Sequence, residues 1–139
     1  MQITLTYQGE GAAFDGVTDD GSTLTLDGSP ALGGVGKGAR PMEMVLFGLA
    51  GCAAMDVLHI VRKGRRELST ALITARGERA DAVPAVFSAV HLDFKLGGDG
   101  LTEAIVQRAV DLSIERYCSV AQMLSPHVKI TSSVALIES

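Results

Sequence analysis

Residues 41–63 read PMEMVLFGLAGCAAMDVLHIVRK, and the fold turns on this run. Pro41 suits the first position of a helix, where its missing N–H is no loss. Apolar side chains at Met44, Val45, Phe47, Leu49, Cys52, Met55, Val57, Leu58 and Ile60 fall on nearly every face, the pattern of a helix enclosed by other elements. Arg62, Lys63, Arg65 and Arg66 gather where a helix C-terminus favours positive charge, and Gly64 is the expected terminator. Gly48 and Gly51 each cost about 1 kcal/mol relative to Ala inside a helix, so close approach of another backbone beside Cys52 is expected to compensate. The stretch Val45 to Val61 is apolar enough to raise the question of a membrane span. Asp56 and His59 within it, and Glu43 before it, answer that question. A charge near a bilayer centre costs about 2.5–3.5 kcal/mol, so a buried helix is expected and a membrane segment is not.

The remaining sequence supplies what encloses that helix. A chain of 139 residues is most simply one domain, residues 1–139. It is 47% hydrophobic but only 4% aromatic, without Trp, so Leu, Val, Ile, Ala and Met fill the core. A mean hydropathy of +0.28 is high for a domain this small, which has much surface to cover. Part of the apolar surface is therefore expected in a homodimer interface. The net charge of −4 argues against a nucleic-acid partner, which calls for concentrated Lys and Arg. The opening Met1 to Tyr7 alternates like a strand and not like a secretory leader. The cytoplasm is the expected compartment, where two cysteines are free thiols more often than a structural disulfide.

Before the helix the chain reads as short strands: Ile3 to Tyr7, Ala12 to Thr18 and Ser22 to Leu26, the last two joined at the turn signal Asp19-Asp20-Gly21. Gly33 to Gly38 is glycine-rich, but it lacks both the Walker ending and a dinucleotide fingerprint, so a flexible loop is expected there. After the helix, Leu72 to Glu78 and Val86 to Leu96 read as two longer strands, with Val86, Val90, Leu92 and Phe94 on one face. Thr102 is placed to cap a second helix running to about Arg116, with Ile105, Ala109, Leu112 and Arg116 on one stripe, Val106 and Val110 beside it, and Glu103, Gln107, Asp111 and Glu115 facing water. Ser119 then opens a short helix to Leu124, and His127 to Glu138 closes the chain as a strand. The order is βββ-α-ββ-α-(short α)-β, an α+β fold.

Cys52 and Cys118, 66 positions apart, carry the chemistry if the fold joins them. A thiolate is the nucleophile, and a free cysteine near pKa 8.5 is mostly protonated at neutral pH. Cys52 lies three turns inside its helix, beyond reach of the dipole, with Asp56 one turn on and His59 about two. Cys118 precedes a short helix, where N–H groups favour the anion. Local physics alone makes Cys118 the better nucleophile, while burial as small hydrophobes remains the bland alternative for both. No metal site is expected. Cys-x-x-Cys is missing, His59 is about 10 Å along the helix from Cys52, and His91 and His127 lie on strand-like segments. A Cys–His hydrolase through His91 or His127 lacks a nucleophile motif.

Pro41-Met42-Glu43-Met44-Val45-Leu46, Ala50-Gly51-Cys52-Ala53-Ala54-Met55-Asp56-Val57 and Tyr117-Cys118-Ser119-Val120 together resemble the OsmC/Ohr superfamily. Pro30-Ala31-Leu32-Gly33-Gly34 and the helix end Arg62-Lys63 are similar to its YhfA-related branch. The resemblance covers essentially the whole chain. It implies an intertwined homodimer with two central helices flanked by sheets from both chains, and no bound cofactor. It also implies a thiol peroxidase acting on organic hydroperoxides, with Cys52 peroxidatic, Cys118 resolving and a dihydrolipoamide-like dithiol as reductant. Glu43 would support an arginine beside the reactive thiol. Two features depart from the Ohr pattern. Glu43 stands one residue later than the glutamate that comes directly after the proline there, nine residues and about 180° around the helix from Cys52. No Arg precedes Arg40, which leaves Arg40, Lys37 or Arg116 to supply the cation. A redox-sensing or binding module on the same fold, with little turnover, is the competing expectation.

Overall fold

The computed structural model describes residues 1–139, which divide into two compact units, Met1–Val45 and Leu46–Ser139. In the first, β1 (Ile3–Tyr7), β2 (Phe14–Thr18) and β3 (Thr23–Leu26) form an antiparallel meander in that order. Gly21, at φ 91°, gives the β2–β3 turn the left-handed residue that a side chain would resist. Ile3, Leu5, Val17 and Leu24 stay exposed. With Leu26 and Met44 they line an apolar groove of ≈ 250 Å³.

The glycine-rich segment is tied down, contrary to the flexible loop expected. A 3₁₀ turn at Pro30–Leu32 leads into it, and the buried Asp27 carboxylate anchors it. Asp27 Oδ2 accepts the backbone N–H groups of Val35 and Lys37, both at 3.0 Å, and Oδ1 accepts that of Gly28 at 2.7 Å. These bonds, led by Lys37 and Val35, hold the Asp27 carboxyl below the usual carboxylate range. The Val35 and Lys37 amides of this loop are thus taken up by the chain's own anion.

The helix α1 spans Pro41–Lys63. Leu49, Ala53, Val57 and Val61 form a buried stripe at a spacing of four residues. The expectation of a helix enclosed on every side does not hold within one chain. Only 22% of its most apolar 18-residue window is buried, and Phe47 and Met55 on the opposite side are 65% and 72% exposed. Beyond the helix's own neighbouring backbone, no atom lies within 4 Å of where a Cβ would stand at Gly48 or Gly51, so no other part of the chain provides a close backbone there. The terminus also differs in detail. Arg65, not Gly64, takes the left-handed conformation at φ 59°. The Arg65 N–H donates to the Arg62 carbonyl and the Arg66 N–H to the Val61 carbonyl, a Schellman pair with a non-glycine at its left-handed position.

A second sheet is ordered β4 (Thr70–Arg79), β5 (Phe87–Gly97), β6 (Lys129–Leu136), with β4–β5 antiparallel and β5–β6 parallel. Val90, Leu92, Phe94 and Leu96 are buried, as a period of two requires. Val86 is 54% exposed, and Phe87 takes its expected place in the core. The physical reason is a register shift at Glu78/Arg79 together with Gly77, where a side chain would occupy the space of the Phe87 ring.

Thr102 caps α2 (Glu103–Leu112) by accepting the Ile105 N–H at 3.3 Å. Its buried residues are Val106, Ala109 and Val110, all on the expected apolar face, with the burial deepest on its Val106–Val110 side. The helix does not continue regularly to Arg116. Ser113–Tyr117 widen into a π-helical turn closed by the Cys118 N–H on the Ser113 carbonyl at 2.7 Å. The short helix α3 (Ser119–Leu124) comes next.

Candidate functional site

Three elements converge on one cluster in the second unit. α1 contributes Cys52 and, one turn later, Asp56 from the same face. The π-helical turn and the start of α3 contribute Ser113 and Cys118. The two sulfur atoms and a carboxylate oxygen of Asp56 all lie within 4.8 Å of one another. Both cysteines are free thiols; Cys118 is fully buried and Cys52 is half-buried. The separation along the sequence is thus erased by the packing of α1 against the π turn, to which Ser113 holds it. Ser113 Oγ, with no exposed surface, donates to Asp56 Oδ2 at 3.0 Å and leans toward the Ala53 carbonyl at 3.4 Å.

Cys118, and not Ser119, is the N-cap of α3. Its Sγ accepts the Ala121 N–H at 3.4 Å. The local argument from that helix start pointed to an easily ionised Cys118, but the surroundings reverse it. Burial, aided by the neighbouring Cys52, pushes the Cys118 thiol up to about 11 despite the opposing amides of Ala121 and Val120. Cys118 is held as a buried thiol, whereas Cys52 is only half-buried.

Glu43 is occupied close to its own backbone: Oε1 accepts the Arg40 N–H at 3.0 Å, the back-reach of a capping glutamate. No side-chain cation hydrogen-bonds to either sulfur. The histidines have other partners or none. His91 contacts Thr131 Oγ1 at 2.7 Å and Ser133 Oγ at 2.9 Å, while Ser133 Oγ donates to Asp93 Oδ1 at 2.8 Å, so Nε2 is the donor to Ser133. His59 and His127 are exposed. Ser113 was not readable as a site residue: a serine inside a helical pattern carries no signal of what its hydroxyl will reach.

A family model described as OsmC-like protein matches residues 34–133, a span that contains both cysteines. The chain belongs to the OsmC-like family. Protein YhfA of Escherichia coli K12 is 40% identical to it over 128 residues, 92% of each chain. Among solved structures, a hypothetical protein of Aquifex aeolicus VF5 superposes with a TM-score of 0.79 at 29% identity, covering 98% of this chain and 96% of that one. The organic hydroperoxide resistance protein OhrB of Bacillus subtilis shares the fold, with a TM-score of 0.64 at 17% identity and 96% coverage of both chains. The α+β OsmC fold is thus shared with hydroperoxide-resistance proteins. Within this family, Asp56 and Ser113 give the site of this chain a carboxylate fixed beside both thiols.

Proposed function

We propose that this OsmC-like protein is a thiol peroxidase that reduces organic, fatty-acid-type hydroperoxides to alcohols through Cys52 and Cys118. The carrying observation is the approach of two sulfurs within 4.8 Å, one on a buried residue and one on a half-buried residue. Cys52 attacks the hydroperoxide ROOH, the O–O bond breaks, and ROH leaves as Cys52 becomes a sulfenic acid. The Cys118 thiol then displaces that oxygen as water, which forms the Cys52–Cys118 disulfide. A dihydrolipoamide-like dithiol supplies two electrons and two protons to restore both thiols. The apolar side chains flanking Cys52 on α1 favour an alkyl hydroperoxide over hydrogen peroxide, because burial of alkyl surface contributes roughly 25 cal/mol per Å². The hydroperoxide-resistance name of OhrB supports the same substrate class.

The protein acts in the cytoplasm as a single OsmC-like domain assembled into an intertwined homodimer. The exposed apolar strip of α1 and the exposed face of the β1–β3 sheet support this assembly. Glu43 joins the reactive centre through the second subunit, where it supports the cation that the thiols of one chain lack. A second reading, a redox sensor with little turnover, is favoured by that missing cation. Incubation with cumene hydroperoxide and dihydrolipoamide separates the two. The peroxidase reading expects multiple turnovers that Cys52→Ser abolishes, and a trapped sulfenic acid in Cys118→Ser. Full turnover by Cys52→Ser would refute it; one disulfide per chain without turnover would establish the sensor.

A further inference from the structure

We propose that Cys52, Cys118 and Asp56 form a binding site for a thiophilic divalent cation of the Zn²⁺ class, with a fourth position left for water or an added ligand. The inference goes beyond the peroxidase reading and rests on the geometry alone.

Three donor atoms of suitable kind converge: two sulfurs and one carboxylate oxygen, each within 4.8 Å of the others. Thiolate and carboxylate are ligands that Zn²⁺ takes at about 2.3 Å and 2.0–2.2 Å, in tetrahedral sites. Those bond lengths place ligand atoms roughly 3.5–3.8 Å apart. From the 4.8 Å limit the cluster needs to contract by about 1–1.3 Å to reach those separations, on the side where Cys52 is only half-buried.

Two further contacts serve as the outer shell that metal ligands require. Ser113, with no exposed surface, donates to Asp56 Oδ2 and fixes the carboxylate, leaving Oδ1 uncommitted. The Ala121 N–H donates to Cys118 Sγ, a bond that strengthens as the sulfur becomes anionic. Binding converts two thiols and M²⁺ into a bis-thiolate complex and releases two protons. Each thiolate spends one lone pair on the metal, and closing the disulfide removes both thiolate charges and releases the ion, so a loaded site and the Cys52–Cys118 disulfide exclude each other.

The test uses the reduced, full-length protein without peroxide. Anaerobic titration with Co²⁺ is expected to give a saturable sulfur-to-cobalt charge-transfer band and the strong visible bands of tetrahedral Co²⁺, at one ion per chain. Two protons are released per ion, and Zn²⁺ in equal amount bleaches the bands. Cys52→Ser and Cys118→Ser each lose the saturable bands. Ser113→Ala, which retains every ligand, weakens binding by about 10–100-fold with an unchanged circular dichroism spectrum. A folded protein with two titratable thiols that shows no charge-transfer band with Co²⁺ in excess overturns the proposal, as does binding that Cys118→Ser leaves intact. Either failure would leave the peroxidase reading standing. Conversely, peroxide that forms no disulfide in metal-free protein would defeat that reading and not this one.

Discussion

Replacing Gly48 and Gly51 together by alanine distinguishes a helix left open from one covered by a second copy. Both glycines lie in the first half of α1, among the exposed side chains Phe47 and Met55. Within one chain nothing beyond the helix's own neighbouring backbone stands within 4 Å of either new Cβ. Each substitution should then stabilise the helix by about 1 kcal/mol, and the pair by about 2. For a chain of this length that is roughly 5–10 °C in melting temperature. In a homodimer each change occurs twice, so four methyl groups enter the interface. Overpacking costs about 1–3 kcal/mol at each well-packed position, which outweighs the gain in helix propensity. The proposed assembly therefore predicts a lower melting temperature and dissociation at higher protein concentration than the parent. Calorimetry and light scattering across a dilution series measure both. A melting temperature raised by 5–10 °C or so with no change in mass would show that no partner packs on this strip.

Three other outcomes rest on particular contacts. Arg65→Gly removes the strain of a side chain at φ 59° and should raise stability by about 1 kcal/mol in urea unfolding; an unchanged or lower midpoint would contradict the Schellman assignment. Asp27 has a folded-state carboxyl below the usual range, so its contribution is present above the unfolded value. That contribution is lost as pH falls through the folded one; Asp27→Asn should therefore lower the urea midpoint at pH 7 and matter little at a pH below both values. Gly77→Ala displaces the Phe87 ring and should destabilise the chain by about 1–3 kcal/mol, seen as a reduced melting temperature.

Much of the fold was legible because its signals are local. Pro41, the apolar run and Arg62-Lys63 bound α1 at the residues observed, and Thr102 caps α2 as its position requires. The Asp19-Asp20-Gly21 turn likewise needs only its own residues. What escaped depends on distant partners. Asp27 reaches 8 and 10 residues ahead to Val35 and Lys37, and Phe87 takes the core place through the register shift at Glu78/Arg79 and the missing side chain of Gly77 on β4. The sulfur at Cys118 was misjudged for the same reason. Its helix start is visible in the sequence, but the burial that outweighs it comes from the packing of the whole unit. Asp56 was visible one turn from Cys52, yet its orientation is set by Ser113, 57 residues away.

The widened turn at Ser113–Tyr117 works as a length buffer. An ordinary helix advances about 100° per residue, and the i→i+5 closure from Cys118 to Ser113 inserts one residue beyond the regular repeat. Deleting a single residue from Ile114 to Tyr117 would let an ordinary i→i+4 closure bring the cysteine N–H back to the Ser113 carbonyl, with the sulfur at nearly the same angle. The widened turn therefore absorbs one extra residue without parting the dithiol. Homologues one residue shorter here, with a regular helix in its place, would thus keep their two thiols together.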